Sequence, residues 1–421
     1  MFNLILYFYL LFLVTPVGWA QVVEITIEEC HALAEENYPL VKQRDLISKS
    51  LEYSLEKASK GYLPRMSIAG QATYQSAVTE IPIDPPPGQE IPTPTRDQYK
   101  VYGELTQTIF DGGTIRQQKN YEESSALVEE QRLEVELYKL KERVNQLFFG
   151  ILIVDAQLSQ NEILQKDIQL GLNKVQASVN NGTALKSSAD ILKADLLKAI
   201  QRTIELKASR KGYLNMLTLF INKKLDENTV LVRPVPLQPT LDIQRPEMKL
   251  FDNQGANLEA QSKILKTRVL PNVNFFVQAG YGKPALNILS NTFDPYYIGG
   301  IRFQWSLSNF YTLKNDLEII SVNKRNVELQ KQTFVFNTNY VLNQQESEVD
   351  KLKELLEADD EIILLRTNIK NNSSALLENG VISTSDYLRE VNAEDQARQF
   401  RLLHELQLLM AQYTRQTTAG I

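Results

Sequence analysis

Four runs of about ten residues in this chain alternate apolar with polar side chains. In the third run Val273, Phe275, Val277, Ala279 and Tyr281 alternate with Asn272, Asn274, Phe276, Gln278 and Gly280. In the fourth, Tyr297, Gly299, Ile301, Phe303, Trp305 and Leu307 are interleaved with Ile298, Gly300, Arg302, Gln304 and Ser306. Nearer the amino terminus, Met66, Ile68, Gly70, Ala72 and Tyr74 stand against Ser67, Gln71 and Thr73, and a companion run covers about 99–109. A period of two puts each set on one face of a strand. Runs of this length with aromatic residues near their ends fit strands of a membrane barrel with a wet lumen. A half-buried soluble antiparallel sheet gives the same alternation. In a bilayer the sheet must close on itself, and the smallest common single-chain barrels have about eight strands. A membrane barrel built from this chain is therefore shared between chains. Two copies give eight strands and three give twelve, and the alternation does not choose between them.

The strands sit inside a duplication. Pro39 matches Pro246 and Pro64 matches Pro271 at an offset of 207, whereas FDGG at Phe110 falls opposite SNFY at Ser308, and Asn181-Gly182 opposite Asn379-Gly380, at 198. The offset shrinks where the first half carries the Pro-rich insert EIPIDPPPGQEIPTPT, between its two strands. Each half reads as helix, strand, loop, strand, very long helix, turn and long helix. The first repeat covers 21–230, with strands at about 65–75 and 99–109. The second covers 231–421, with strands at about 272–282 and 297–307. The first helix is expected from about Ile27 to Lys60.

No proline stands between Pro94 and Pro234 or after Pro295, so nothing breaks the long helical segments. Leu133, Leu137, Leu140, Val144, Leu147, Ile151, Val154 and Leu158 step by fours and threes, a heptad seam. The apolar pattern slips before Leu164, as at a stutter. Val349, Leu352, Leu356 and Ile363 repeat the rhythm in the second half. One helix from Thr114 to Asn180 would be roughly 100 Å long at ~1.5 Å per residue, and KLKER and EEQRLE make it too charged to cross a bilayer.

Residues 1–20 carry no charged side chain, an apolar run from Leu4 to Val14, and small residues at Gly18 and Ala20, which reads as an export signal cleaved before Gln21. An uncleaved anchor is the alternative. The net charge of −6, with 51 acidic and 45 basic residues and no basic run, gives nucleic acid no footing. Cys30 is the only cysteine, and His31 and His404 lack metal-site spacing. FDGG lacks the Lys-Ser/Thr that phosphate binding wants. No cofactor, metal or catalytic group is indicated, and an enzyme is not expected.

The order of signal, helix, Leu63-Pro64 strand, Pro-rich loop, strand ending in FDGG, heptad helix, Gly-containing turn and return helix, present twice, resembles the TolC-like outer-membrane efflux protein family from about Ile25 to Tyr413. The resemblance implies a mainly α fold with a transmembrane β part: a homotrimer sharing a twelve-stranded barrel, continued by an α-helical periplasmic tunnel. Pro64 and Pro271 then mark helix-to-barrel junctions, since proline bars helix continuation. The implied setting is the outer membrane of a Gram-negative bacterium, in contact with outer-membrane lipid. The implied role is the exit duct of a tripartite efflux pump or type I secretion system. Its partners would be a periplasmic adaptor and an inner-membrane pump of RND, ABC or similar type. The rival reading is a periplasmic coiled-coil adaptor or structural protein without a barrel.

The resemblance also places adaptor docking and closure at the two Asn-Gly turns, with Gly182, Leu185, Ser188 and Asp190 in the first and Gly380, Ser385, Asp386 and Leu388 in the second. Ser188 and Ser385 are the expected caps of the return helices. Gly380, Asp386 and Leu388 match the family spacing, while Asp190 stands two residues further from its glycine. Asp386 and Arg389 are the candidate gate. The resemblance puts a second acid where this chain has Arg389, and their i,i+3 spacing allows mutual neutralisation, so a weaker cation gate is expected. The Tyr213–Phe220 helix end is similar to the family's Leu-Asn-x-Leu-Leu segment.

Overall fold

The computed structural model describes residues 24–79, 82–83, 86–88, 93–237 and 242–420. The expected signal at 1–20 and parts of the Pro-rich insert lie outside the described residues. In chain order the elements are β1 (Glu24–Ile25), α1 (Ile27–Asn37), α2 (Gln43–Ser59), β2 (Arg65–Tyr74), β3 (Asp97–Phe110), α3 (Thr114–Asn180), α4 (Lys186–Ile221), β4 (Val230–Leu231), α5 (Pro246–Thr267), β5 (Asn272–Lys283), β6 (Asp294–Gln304), α6 (Asn309–Glu378) and α7 (Thr384–Ala419). They fall into two compact units. One takes the residues up to Tyr38, Lys139–Leu241 and Val341–Ala419; the other takes Pro39–Tyr138, Asp242–Tyr340 and the last residues.

The single helix expected over Ile27–Lys60 is broken. Pro39 has no N–H to continue α1, and Tyr38 before it is extended at φ −66, ψ 128. A short 3₁₀ turn, Pro39–Lys42, precedes α2.

In the sheet-bearing unit, β2, β3, β5 and β6 pair antiparallel in that order. The register puts Met66 beside Leu105, Leu105 beside Val277, and Phe275 beside Ile301, so the apolar alternation of all four strands shares one face. That face is open: Ile68 is 87% and Ile301 70% exposed. Glu104 organises the other face, accepting from Arg302 at 3.0 Å, Gln278 at 3.2 Å and Thr106 at 3.2 Å. A β-carbon on Gly280 would lie 2.5 Å from that of Tyr102, whereas one on Gly103, on the apolar face, finds nothing nearer than 4.0 Å. Cross-strand β-carbons normally stand about 5 Å apart. β3 and β5 therefore approach closely on the polar side at this pair, and Gly280 permits it.

The fourth strand runs three residues earlier than expected, 294–304 rather than 297–307. Trp305 donates its indole N–H to Val269 O at 2.9 Å, which draws it to the helix-strand junction and ends the alternation. At the other junction Leu63 is extended at φ −78, ψ 152 immediately before Pro64. FDGG starts α3: Asp111 accepts from the Gly113 N–H at 2.8 Å and the Ile115 N–H at 2.7 Å. Ion pairs Lys324–Glu259 and Lys331–Asp252, one heptad apart, join α5 to α6.

The other unit is a helical-hairpin unit. Val144, Phe148, Phe149 and Ile151 of α3 pack with α1, α4 and α7 in a core completed by Leu217, Ile221 and Leu406. One 18-residue window of α3 reaches a mean hydropathy of 1.2, and its apolar residues near 148–154 are used by this core. Cys30 is buried there, its thiol pushed up to about 12 by desolvation. His31 meets Asn145 Oδ1 at 2.7 Å, and Asn145 donates to Thr417.

The seam of α3 does not slip after Leu158. Asn161, 2% exposed, and Gln165 take the next positions, and both donate to Ala199 O and Thr203 Oγ1 of α4. The sequence pattern breaks only because two seam residues are polar. In α6 the gap between Leu356 and Ile363 is likewise filled by Asp359, 8% exposed, whose carboxylate lies 2.6 Å from His404 Nδ1 of α7.

Candidate functional site

Both Asn-Gly turns belong to the hairpin unit and are built alike. Gly182 and Gly380 hold φ of +73 and +69, the left-handed conformation that glycine adopts without a Cβ penalty. Gly182 N–H donates to Val179 O and Thr183 N–H to Ser178 O; Gly380 N–H donates to Leu377 O and Val381 N–H to Leu376 O. This is the Schellman closure at each helix end. Open space surrounds both glycines, so they serve the backbone and not close packing.

The return helices start differently, and neither expected cap is used. Leu185 is the N-cap of α4 without a side-chain bond, and Ser188 lies inside the helix. Ser385 lies inside α7. The cap is Ser383, whose Oγ accepts the Asp386 N–H at 3.2 Å, while Asp386 Oδ2 accepts from Ser383 N–H at 3.3 Å and Oγ at 2.7 Å. Asp386 therefore closes a capping box, with Asp in place of the usual Glu. The sequence reading missed this because it took the serine adjoining the apolar run.

Asp386 and Arg389 approach to 3.6 Å, and Arg389 also meets Glu390 at 3.3 Å. The two bonds from Ser383, helped by the charge of Arg389, hold the Asp386 carboxyl below its ordinary value. A depressed carboxylate contributes stability above its unfolded pKa, lost as pH falls through the folded one. The start of α7 is thus expected to loosen only in acid, below pH 3.8. Asp386→Asn is expected to speed amide exchange at residues 384–388 at neutral pH and leave the first turn unchanged; unchanged exchange in α7 would count against the cap.

Leu388, 4% exposed, and Tyr387, 7%, do not project from the turn. They pack with Ile168, Val175, Ala189, Leu192 and Val391 in a cluster that joins the two hairpins. Gly171 makes room for Tyr387, whose Cε1 would stand 3.1 Å from a β-carbon there. The apolar side chains left at the turns are Leu185, 74% exposed, and Val381, 66%; Asp190 is exposed on α4.

The strongest links between hairpins were not legible as a motif. Lys370 of α6 pairs with Asp167 of α3 at 2.9 Å and with Glu394 of α7 at 3.0 Å. Glu394 also takes Arg398 at 2.7 Å and Thr367 at 3.0 Å. One heptad further along α3, Lys174 pairs with Glu378 of α6. The acid is on α3 in one link and on α6 in the other.

No family model and no curated protein matches the sequence. Among solved structures, that of CusC, described as reviewing folding and transmembrane channel formation, matches with a TM-score of 0.69 at 13% identity, over 94% of this chain and 92% of that one. The outer membrane protein VceC of Vibrio cholerae matches at 0.65 and 11%, over 94% and 96%. The CmeC outer membrane channel of Campylobacter jejuni matches at 0.64 and 13%, over 94% and 85%. The chain has the TolC-like channel fold that its order of elements resembles.

Proposed function

We propose that this chain is one subunit of an outer-membrane exit duct. Three copies close a twelve-stranded barrel in the outer membrane of a Gram-negative bacterium, continued by a helical periplasmic tunnel. The duct is a passive conduit of a tripartite efflux pump or type I secretion system. An adaptor and an inner-membrane pump open it at the helix turns, where Leu185 and Val381 offer apolar contacts and Asp386 with Arg389 lines the gate.

The observation that carries this reading is the sheet. Its apolar face is exposed on every strand, and its edges β2 and β6 have no partner among the described residues. An open edge is not tolerated in lipid, so further copies must supply the missing strands. On α6, Ile319, Val322, Leu329, Phe336 and Tyr340 follow heptad spacing yet are 58–71% exposed, an apolar seam left for another chain.

Fractionation of membranes, followed by the mass of the detergent-extracted particle, tests the proposal. A three-chain particle in the outer membrane is expected. A soluble single chain in the periplasm would overturn it and favour the adaptor reading.

A further inference from the structure

The helical end of the four-stranded sheet carries charge of one sign. In the ten residues on the helix side of each strand, 55–64, 111–120, 262–271 and 305–314, eight lysines and arginines stand against only Glu56 and Asp111, in a chain whose net charge is −6. Both acids are already engaged, Glu56 by Lys60 and Asp111 by the N–H groups of Gly113 and Ile115. The segments that join the strands at their other ends, 75–96 and 284–293, carry Arg96 against Glu80, Asp84 and Glu90. The positive excess therefore belongs to one end of the sheet.

Further along the same helices basic side chains find acids, as Lys324 finds Glu259 and Lys331 finds Asp252. In the belt, Arg116, Lys119, Lys263, Lys266, Arg268 and Lys314 make no ion pair among the described residues, and all but Lys119 are exposed. Lys263 and Lys266 act on Glu259 only at a distance, because Lys324 holds its carboxylate. Exposed rings share this level: Tyr62, Trp305, Phe310 and Tyr311 flank the same strand ends. Tyrosine and tryptophan settle at the headgroup depth of a bilayer. The open apolar face starts directly beyond them, at Met66 and Phe303. Lys60, Arg116, Lys266 and Arg268 stand within six residues of a strand end, and long basic side chains extend toward an interface while their stems stay on apolar surface.

We infer that this belt binds the phosphates of an anionic phospholipid, such as phosphatidylglycerol, in the leaflet on the helical side of the sheet. Clustered lysine and arginine beside a membrane attract anionic headgroups, and their N–H groups donate charge-assisted bonds to phosphate. The acyl chains then lie along the exposed apolar face. The inference rests on the reading above that the sheet lies in a membrane, and it names the lipid class that the helical end selects.

The test is native mass spectrometry of the detergent-extracted particle, titrated with phosphatidylglycerol, with phosphatidylethanolamine, or with inorganic phosphate. Phosphatidylglycerol is expected to be retained at about tenfold the level of phosphatidylethanolamine, and inorganic phosphate at equal concentration is expected not to displace it. Lys263→Glu with Lys266→Glu and Arg116→Glu is expected to abolish the preference, and the milder Lys263→Gln with Lys266→Gln to reduce it about threefold. Lys193→Glu with Lys207→Glu, exposed on α4 away from the belt, is expected to leave it unchanged. A three-chain particle that retains the two lipids equally overturns the belt and leaves the duct reading standing. Displacement by inorganic phosphate overturns it in favour of a free anion. Variants that shift the ion selectivity of single channels while lipid retention stays native would show that the bases face the lumen, which also overturns it. A single-chain particle overturns both readings.

Discussion

Gly112→Val is expected to prevent assembly, while Gly113→Ala in the same turn is expected to be tolerated. Both glycines hold left-handed backbone, at φ +67 and +81. Their surroundings differ. A β-carbon on Gly112 would lie 2.7 Å from Leu270 Cβ, which is fixed to the backbone just before Pro271, whereas Gly113 faces open space. Left-handed backbone costs an ordinary residue about 1–2 kcal/mol, the whole expected penalty at Gly113. At Gly112 overpacking adds about 1–3 kcal/mol, and its relief would push apart the start of α3 and the start of β5. Thr114 and Thr267, whose hydroxyls lie 3.0 Å apart, would separate with them. The yield and melting temperature of the detergent-extracted particle measure this. Equal behaviour of the two variants would show that Leu270 yields and that the turn does not fix the junction.

Lys370→Met is expected to loosen the first hairpin from the second, at a cost of about 3 kcal/mol, near the lower end for one partner removed from a buried ion pair. Glu394 is only 4% exposed at its side chain, so it cannot recover the lost contact from water, although Arg398 remains. Asp167 loses Lys370 as well. Adding Glu394→Gln is expected to recover part of the stability, because the stranded charge goes with it. Thermal melting and the single-channel open fraction report the effect. A Lys370→Met variant as stable and as closed as the native chain would show that the apolar cluster around Tyr387 suffices.

The pH dependence follows from the same network. Burial works to raise the pKa of Glu394, but bonds from Lys370 and Arg398 outweigh it and hold the carboxyl below its ordinary value. Burial likewise opposes the charge on Lys370, yet Asp167 and Glu394 hold its pKa above the ordinary 10.5. The contribution of Glu394 is present above its unfolded pKa and lost as pH falls through the folded one. That of Lys370 is present below 10.5 and lost as pH rises through its folded value. Asp395 has the opposite sign. Burial raises its pKa despite bonds from Gln160 and Gln399, so protonation as pH falls through its folded value relieves it and offsets part of the loss at Glu394.

What the sequence determined by itself was local and steric. Pro64 and Pro271 mark the ends of helices because no helix continues through a proline, and Gly182 and Gly380 mark turns because left-handed backbone favours them. The strand faces were legible because a period of two survives in any sheet, and their small number already implied more than one chain. Where a side chain's role depended on what stands opposite, the sequence was silent. Asn161 and Gln165 looked like a break in the seam until α4 supplied Ala199 O and Thr203, and nothing in the sequence singled out Lys370, to which α3 and α7 bring Asp167 and Glu394. Leu388 belonged to a turn in the sequence and to a core in the fold. Hydrophobic periodicity records which residues avoid water. Only the tertiary structure decides which polar residues find partners that let them avoid it too.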